Sequence, residues 1–149
     1  MTKKIFLSFI LFVFVGLSFS CQKESQDEID RKDIEKYIAD HNLDMVRHES
    51  GIYYKIIKKG SSSHPNVSSR INVDYKGTLL DGTKFDSGEN ISLYLGSTIL
   101  GWQIGIPLIG EGGEILLIIP SRLGYGNTAQ GSVPKNSVMV FEVKLNFVS

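Results

Sequence analysis

Three histidines, His41, His48 and His64, and one cysteine, Cys21, are the side chains of this 149-residue chain best suited to carry protons, attack a substrate or ligate a metal. Each histidine sits in a polar stretch with no carboxylate at a metal-ligand spacing. A lone cysteine excludes an intramolecular disulfide, an iron–sulfur cluster and a cysteine zinc site. No Gly-x-Ser-x-Gly elbow is present to build a serine nucleophile. The segment Gly110-Glu111-Gly112-Gly113-Glu114 is rich in glycine, but its two acids would repel a phosphate and no Lys-Ser or Lys-Thr follows, so it reads as a turn. Asp74, Asp81 and Asp86 fall in strand or turn contexts rather than as a hydrolytic pair. What remains is a set of large aromatics, Tyr75, Phe85, Trp102, Tyr125 and Phe141, each of which alone reads as core. The pattern calls for no metal and no cofactor.

These aromatics need elements to position them. The chain is 42% hydrophobic and 21% charged, the composition of a folded domain, and its length suits one domain. Residues 22–49 are dense in charge, and Ser25 with Glu28 makes a capping-box pattern ahead of Ile34, Tyr37 and Ile38 at helical spacing. A helix is expected from about Gln26 to His41, with Asn42 as its stop. It is either a spacer or dimerising arm, or a solvated helix docked on the side of the domain. The short apolar stripe favours the second.

From Gly51 the pattern changes to β-branched and aromatic residues in alternation. Strands are expected at Ile52–Ile57, around Ile71, Val73 and Tyr75, and around Ile91, Leu93 and Leu95, with a hairpin turn at Asp81-Gly82. Ile115–Ile119 is a continuous apolar run, as in a strand covered on both faces. Met139, Phe141, Val143, Leu145 and Phe147 alternate to the end of the chain. One helix fits inside this region, from Trp102 to about Pro107. The expected fold class is α+β: a bent antiparallel sheet wrapped around one short helix, preceded by a short N-terminal helix.

The local wording narrows the function. Val73-Asp74-Tyr75-Lys76-Gly77, Asp81-Gly82-Thr83-Lys84-Phe85-Asp86-Ser87, Gly101-Trp102, Ile119-Pro120-Ser121-Arg122-Leu123-Gly124-Tyr125-Gly126 and Val140-Phe141-Glu142-Val143-Lys144-Leu145 resemble, in order and interval, the FKBP-type peptidyl-prolyl isomerases. The resemblance runs from about Gly51 to Phe147 and implies the same bent sheet and short helix. It implies a pocket of Tyr75, Phe85, Asp86, Ile99, Trp102, Tyr125 and Phe141, with Trp102 as floor, the Ile99 N–H and the Tyr125 hydroxyl as donors to substrate, and Asp86 at the edge orienting Tyr125. Gln130 and Val133 are implied in a loop overhanging the pocket. Ile91 stands where the family often has Phe, and Thr98 where it usually has an aliphatic residue, so both bear on substrate preference. The implied partners are proline-containing segments of exported proteins, bound by a monomer. A non-catalytic module that holds such segments is the competing reading.

The N-terminus carries an address. Lys3 and Lys4 precede a stretch from Ile5 to Ser20 without a charged residue, the form of a secretory signal over residues 1–20. That run is shorter than the roughly 20 residues a membrane-spanning helix needs. Leu17-Ser18-Phe19-Ser20-Cys21 resembles a bacterial lipobox, which implies lipidation of Cys21 and attachment to the cell envelope. An uncleaved anchor and ordinary signal cleavage are the alternatives. The combination also resembles the gliding-motility-associated isomerases of some bacteria. Residues 21–50 would then be the attachment cysteine and a charged helical spacer, and 51–149 the isomerase domain. Lys plus Arg and Asp plus Glu both number 16, and both basic residues of the signal would be lost on cleavage, so no basic excess invites nucleic acid or holds the chain on lipid without an acyl group.

Overall fold

The computed structural model describes residues 23–149, so the signal segment and Cys21 lie outside the described residues. Helix α1 spans Gln26–Asp40, followed by strands β1 Val46–Arg47, β2 Tyr53–Lys58, β3 Arg70–Leu79 and β4 Lys84–Tyr94, helix α2 Leu100–Gly105, and strands β5 Glu114–Ile119 and β6 Met139–Val148. All six strands join one antiparallel sheet in the order β1-β2-β5-β6-β3-β4. Val46 and Arg47 pair with Tyr54 and Tyr53, so the sheet takes in residues ahead of Gly51.

Helix α1 starts where its capping box places it: the Ser25 hydroxyl accepts from the Glu28 N–H at 3.3 Å. It ends at Asp40, and Asn42 adopts φ 50°, the left-handed conformation that asparagine tolerates beyond a helix. Its buried residues are Asp30 and Ile34, with Tyr37 and Ile38 partly buried beside them. The helix therefore lies against the sheet. The Asp81-Gly82 hairpin is also present, closed by Gly82 N–H to Leu79 O and Leu79 N–H to Thr83 O, both 2.9 Å, with Gly82 at φ 85°.

The core has two parts, one on each face of the sheet. Ile115, Leu117 and Ile119 point to the larger cluster with Trp102, Ile106, Met139, Phe141, Val143 and Leu145. Ile118, Val138 and Val140 face the other way and meet Ile34 of α1. The unbroken apolar run of β5 thus has a physical cause: both of its faces are covered.

Alternation along β6 breaks once. Phe147 was expected in the buried series but is 48% exposed. The β3–β6 register shifts between Asn72↔Phe147 and Val73↔Leu145, so Asn146 is an extra residue and every side chain after it changes face. Val148 packs on the core instead. Leu95, expected at the end of a strand, lies in the 3-10 turn Leu95–Ser97 but is fully buried.

Helix α2 begins two residues before the expected start and passes at Gly105 into a 3-10 turn, Ile106–Leu108. It lies close on the sheet because Gly101 has no side chain: a Cβ there would stand 2.5 Å from Cγ2 of Ile119. That close approach sets the depth of Trp102, the next residue.

Candidate functional site

Strands β3, β4 and β6, the start of α2 and the segment after β5 enclose a groove of about 220 Å³. Tyr75, Phe85, Asp86, Ile99, Trp102, Tyr125 and Phe141 all line it, together with Thr98. Its walls are a chain of edge-to-face aromatic pairs. Tyr75 and Trp102 have ring centroids 5.2 Å apart at 84°, Trp102 and Phe141 5.3 Å at 78°, and Phe141 and Phe85 5.5 Å at 86°. Such geometry sets the positive edge of one ring on the negative face of the next. The Phe85 and Phe141 rings fit because Gly77 leaves room: a Cβ there would lie 2.6 Å from Phe85 Cζ and 2.9 Å from Phe141 Cε1.

Trp102 and Phe141 are buried, whereas Tyr125 is 39% exposed at the mouth. The Trp102 Nε1–H is buried without a hydrogen-bond partner among the described residues. The Ile99 carbonyl starts α2 by accepting from Trp102 N–H at 3.0 Å and Gln103 N–H at 3.2 Å. Neither the Ile99 N–H nor the Tyr125 hydroxyl has a partner among the described residues, so both remain donors to whatever enters the groove. The Thr98 hydroxyl is spent on the Leu95 carbonyl at 2.7 Å, which takes its polarity out of the groove.

Asp86 was expected to orient Tyr125; the hydroxyl it binds belongs to Tyr75, at 2.7 Å through Oδ2. Its Oδ1 accepts from the Ser87 N–H at 2.8 Å, the local turn contact that aspartate also makes in a bland setting. Burial, with the Asp86 carboxylate second, pushes the Tyr75 hydroxyl up to about 12. Asp74 sits where β3 slips against β4. Its carboxyl is held below its usual range by the Asn90 N–H first and the Asn146 amide next, each at 2.8–2.9 Å. That anchor pins the bulge between Val73↔Ile91 and Tyr75↔Gly88.

Three expected contributors are absent from the groove's lining. Ile91 is 39% exposed, packed over Gly88 beside Tyr75 rather than lining the groove, and the bulge at Asp74 accounts for its displacement. Gln130 and Val133 sit in the segment between Tyr125 and β6 and are not among the groove's lining residues. They form a two-residue bridge through reciprocal N–H to O bonds of 2.9 Å, which turns Val133 into the core and leaves Gln130 exposed. Conversely, Leu93 and Ser97 line the groove and were not among the expected site residues. The alternation Ile91, Leu93, Leu95 put Leu93 on the correct face. Only the bulge decides which member of that series meets Tyr75 and Trp102.

The described histidines are engaged locally: His48 Nδ1 with Ser50 Oγ at 2.9 Å, His64 Nδ1 with the Pro107 carbonyl at 2.8 Å, and His41 stacked on Tyr37 at 4.0 Å. Within the described residues, then, the groove's chemistry is that of rings, unpaired donors at Ile99, Trp102 and Tyr125, and one paired carboxylate.

A sheet curled on a short helix, with an aromatic groove floored by the helix's tryptophan, defines a class, and the family profile of FKBP-type peptidyl-prolyl cis-trans isomerases matches residues 61–146. The chain belongs to that family. Among its relatives, the FKBP-type isomerase FkpA of Aeromonas hydrophila is 42% identical over 101 residues, 65% of this chain and 38% of that protein. FkpA of Escherichia coli K12 is 40% identical over 100 residues, 64% of this chain and 37% of its own length. This chain therefore spans well under half the length of those curated relatives. The crystal structure of E. coli FkpA superposes with a TM-score of 0.73 at 35% identity, over 79% of this chain and 58% of that one. A peptidyl-prolyl isomerase from Pseudomonas syringae pv. tomato superposes with a TM-score of 0.71 at 27% identity, over 85% of this chain and 98% of that one.

Proposed function

We propose that this protein catalyses cis–trans isomerisation of X-Pro peptide bonds in exported proteins, as a monomer held at the cell envelope by a lipid on Cys21. The carrying observation is the groove: aromatic walls, buried at Trp102 and Phe141, with unpaired donors at Ile99 and Tyr125.

The reaction asks for little else. A planar amide is resonance stabilised, and rotation about it faces a barrier of about 18–20 kcal/mol. Unaided, an X-Pro bond turns over in roughly tens to hundreds of seconds. Twisting breaks the conjugation and lessens charge separation. A groove dry enough to disfavour the planar, more polar amide thus holds the twisted state comparatively better, which is differential binding of the transition state. Ring edges from Tyr75, Phe85 and Phe141 suit the rotating carbonyl oxygen. The Ile99 N–H and Tyr125 hydroxyl would hold the flanking peptide, so that only the prolyl bond turns. Asp86 holds the Tyr75 hydroxyl, and thereby the ring that stands perpendicular to Trp102. Each tenfold acceleration requires about 1.4 kcal/mol.

The test is cis-to-trans isomerisation of a short X-Pro peptide, with Asp86→Ala and Tyr125→Phe beside wild type. Phe141 is a poor probe because its removal would leave a core cavity costing about 3–5 kcal/mol. We expect acceleration well above the spontaneous rate and a loss of about tenfold in kcat/KM for each variant, the size of one lost polar contact. No acceleration by a folded chain would make the groove a holding surface for proline segments. For the anchor, Cys21→Ser should move the protein from the membrane fraction to the soluble one; unchanged fractionation would refute lipidation.

A further inference from the structure

Helix α1 lies ahead of the residues that match the family, yet it buries a carboxylate against the segment that carries Tyr125. Asp30 is 1% exposed and is the one charged residue among the buried polar groups of the described chain. Its Oδ2 accepts from the Ser121 N–H at 2.7 Å and from the Ser121 hydroxyl at 2.6 Å, and its Oδ1 accepts from the Gln26 amide at 2.7 Å. One turn earlier, Asp27 meets Arg122 at 3.4 Å.

Ser121 then passes the constraint on. Its carbonyl accepts from the Gly124 N–H at 3.0 Å and from the Gly126 N–H at 2.8 Å, the two residues that flank Tyr125. One serine is thus bonded to α1 through its amide and hydroxyl, and to both neighbours of the groove tyrosine through its carbonyl. A buried carboxylate is costly unless its lone pairs are met, and here donors reach both oxygens. Joining a helix to a sheet needs only apolar contact, which Ile34 already supplies. The charged contact falls instead on the single residue that organises the Tyr125 turn.

We propose that α1 belongs to the working site, with Asp30 as a positioning residue that fixes, through Ser121, the turn holding the Tyr125 hydroxyl at the groove. The proposal rests on the isomerase reading of the groove. It is tested in the full chain by a double-mutant cycle and by amide hydrogen exchange. Asp30→Ala should lower kcat/KM about tenfold, as the loss of hydrogen bonds to a charged group implies, with most of the change in KM. In a Tyr125→Phe background the same change should cost less than about twofold, because the hydroxyl it positions is gone. The Gly124 and Gly126 amides should exchange at least about tenfold faster in Asp30→Ala while the amides of β5 and β6 keep their protection. Where Asp30→Ala does not fold, Asp30→Asn and Ser121→Ala carry the same cycle with smaller losses. Equal losses in both backgrounds, wild-type kinetics, or unchanged exchange at Gly124 and Gly126 would each overturn the proposal while leaving the isomerase reading in place. An inactive wild-type chain would instead overturn the isomerase reading, and the role of Asp30 in turnover would fall with it, whatever the exchange rates.

Discussion

At the scale of single residues, the pair Tyr75–Asp86 separates two causes of one property. Burial is the larger reason that the Tyr75 hydroxyl stands at about 12, and the Asp86 carboxylate accepting its proton is the second. Asp86→Ala should therefore lower the Tyr75 ionisation only part of the way toward the ordinary value near 10. The group is raised in the fold, so native Tyr75 keeps its proton where the unfolded chain has lost it. Its contribution to stability is whole below about pH 10 and is lost as pH rises towards about 12. Absorbance titration of the tyrosinate band in wild type, Asp86→Ala and Tyr75→Phe measures this. Full reversion in Asp86→Ala would make the carboxylate, not burial, the main cause. The aromatic members of the site were legible because each stands in a local phrase with fixed neighbours. The partner of Asp86 was not, because Tyr75 and Tyr125 both carry hydroxyls and only folded geometry chooses between them.

At the scale of elements, what the sequence could not disclose is where strands slip. Alternation placed Met139, Phe141, Val143 and Leu145 correctly in the core and failed at Phe147, one bulge later. The same cause moved Ile91 off the groove, and a two-residue bridge drew Val133 inward. An extra residue in one strand leaves no mark in apolar periodicity until its partner's register is known. The contact between α2 and β5 is a comparable case, since a glycine in a helix reads as a weakness by propensity alone. Gly101→Ala would gain about 1 kcal/mol of helix propensity. Its Cβ, however, would stand 2.5 Å from Ile119 Cγ2, and such overpacking costs about 1–3 kcal/mol. A net loss of stability is expected, with α2 pushed off the sheet and Trp102 displaced. The chain has a single tryptophan, so its fluorescence reports that displacement directly. An unchanged emission maximum with unchanged or higher stability would show that Ile119 yields and the groove floor does not depend on the missing Cβ.

At the scale of the whole molecule, the sheet is filled on both faces, and the second filling comes from outside the residues that define the family. The groove needs the concave face, where Trp102, Phe141 and their neighbours pack. The opposite face of β5 and β6 presents Ile118 and Val140, which with Tyr53 and Val138 would be open to water if α1 stood away as a spacer. The short stripe Ile34, Tyr37, Ile38 packs on them, and apart from the buried Asp30 the charged residues of the helix face outward, in pairs such as Arg31 with Glu28 and Glu35. Those exposed pairs contribute little. Stability should therefore hang on Ile34, which has no solvent exposure, and the two arrangements of α1 differ in what its truncation does. A spacer helix would lose almost nothing, whereas a docked one leaves a cavity, so Ile34→Ala should cost about 2–5 kcal/mol. Urea unfolding of the full chain should show this as a lower midpoint with an unchanged slope in one transition, since α1 and the sheet share a core and melt together. Two transitions, the first carrying the whole effect of Ile34→Ala, would mean that α1 detaches while the sheet stays folded.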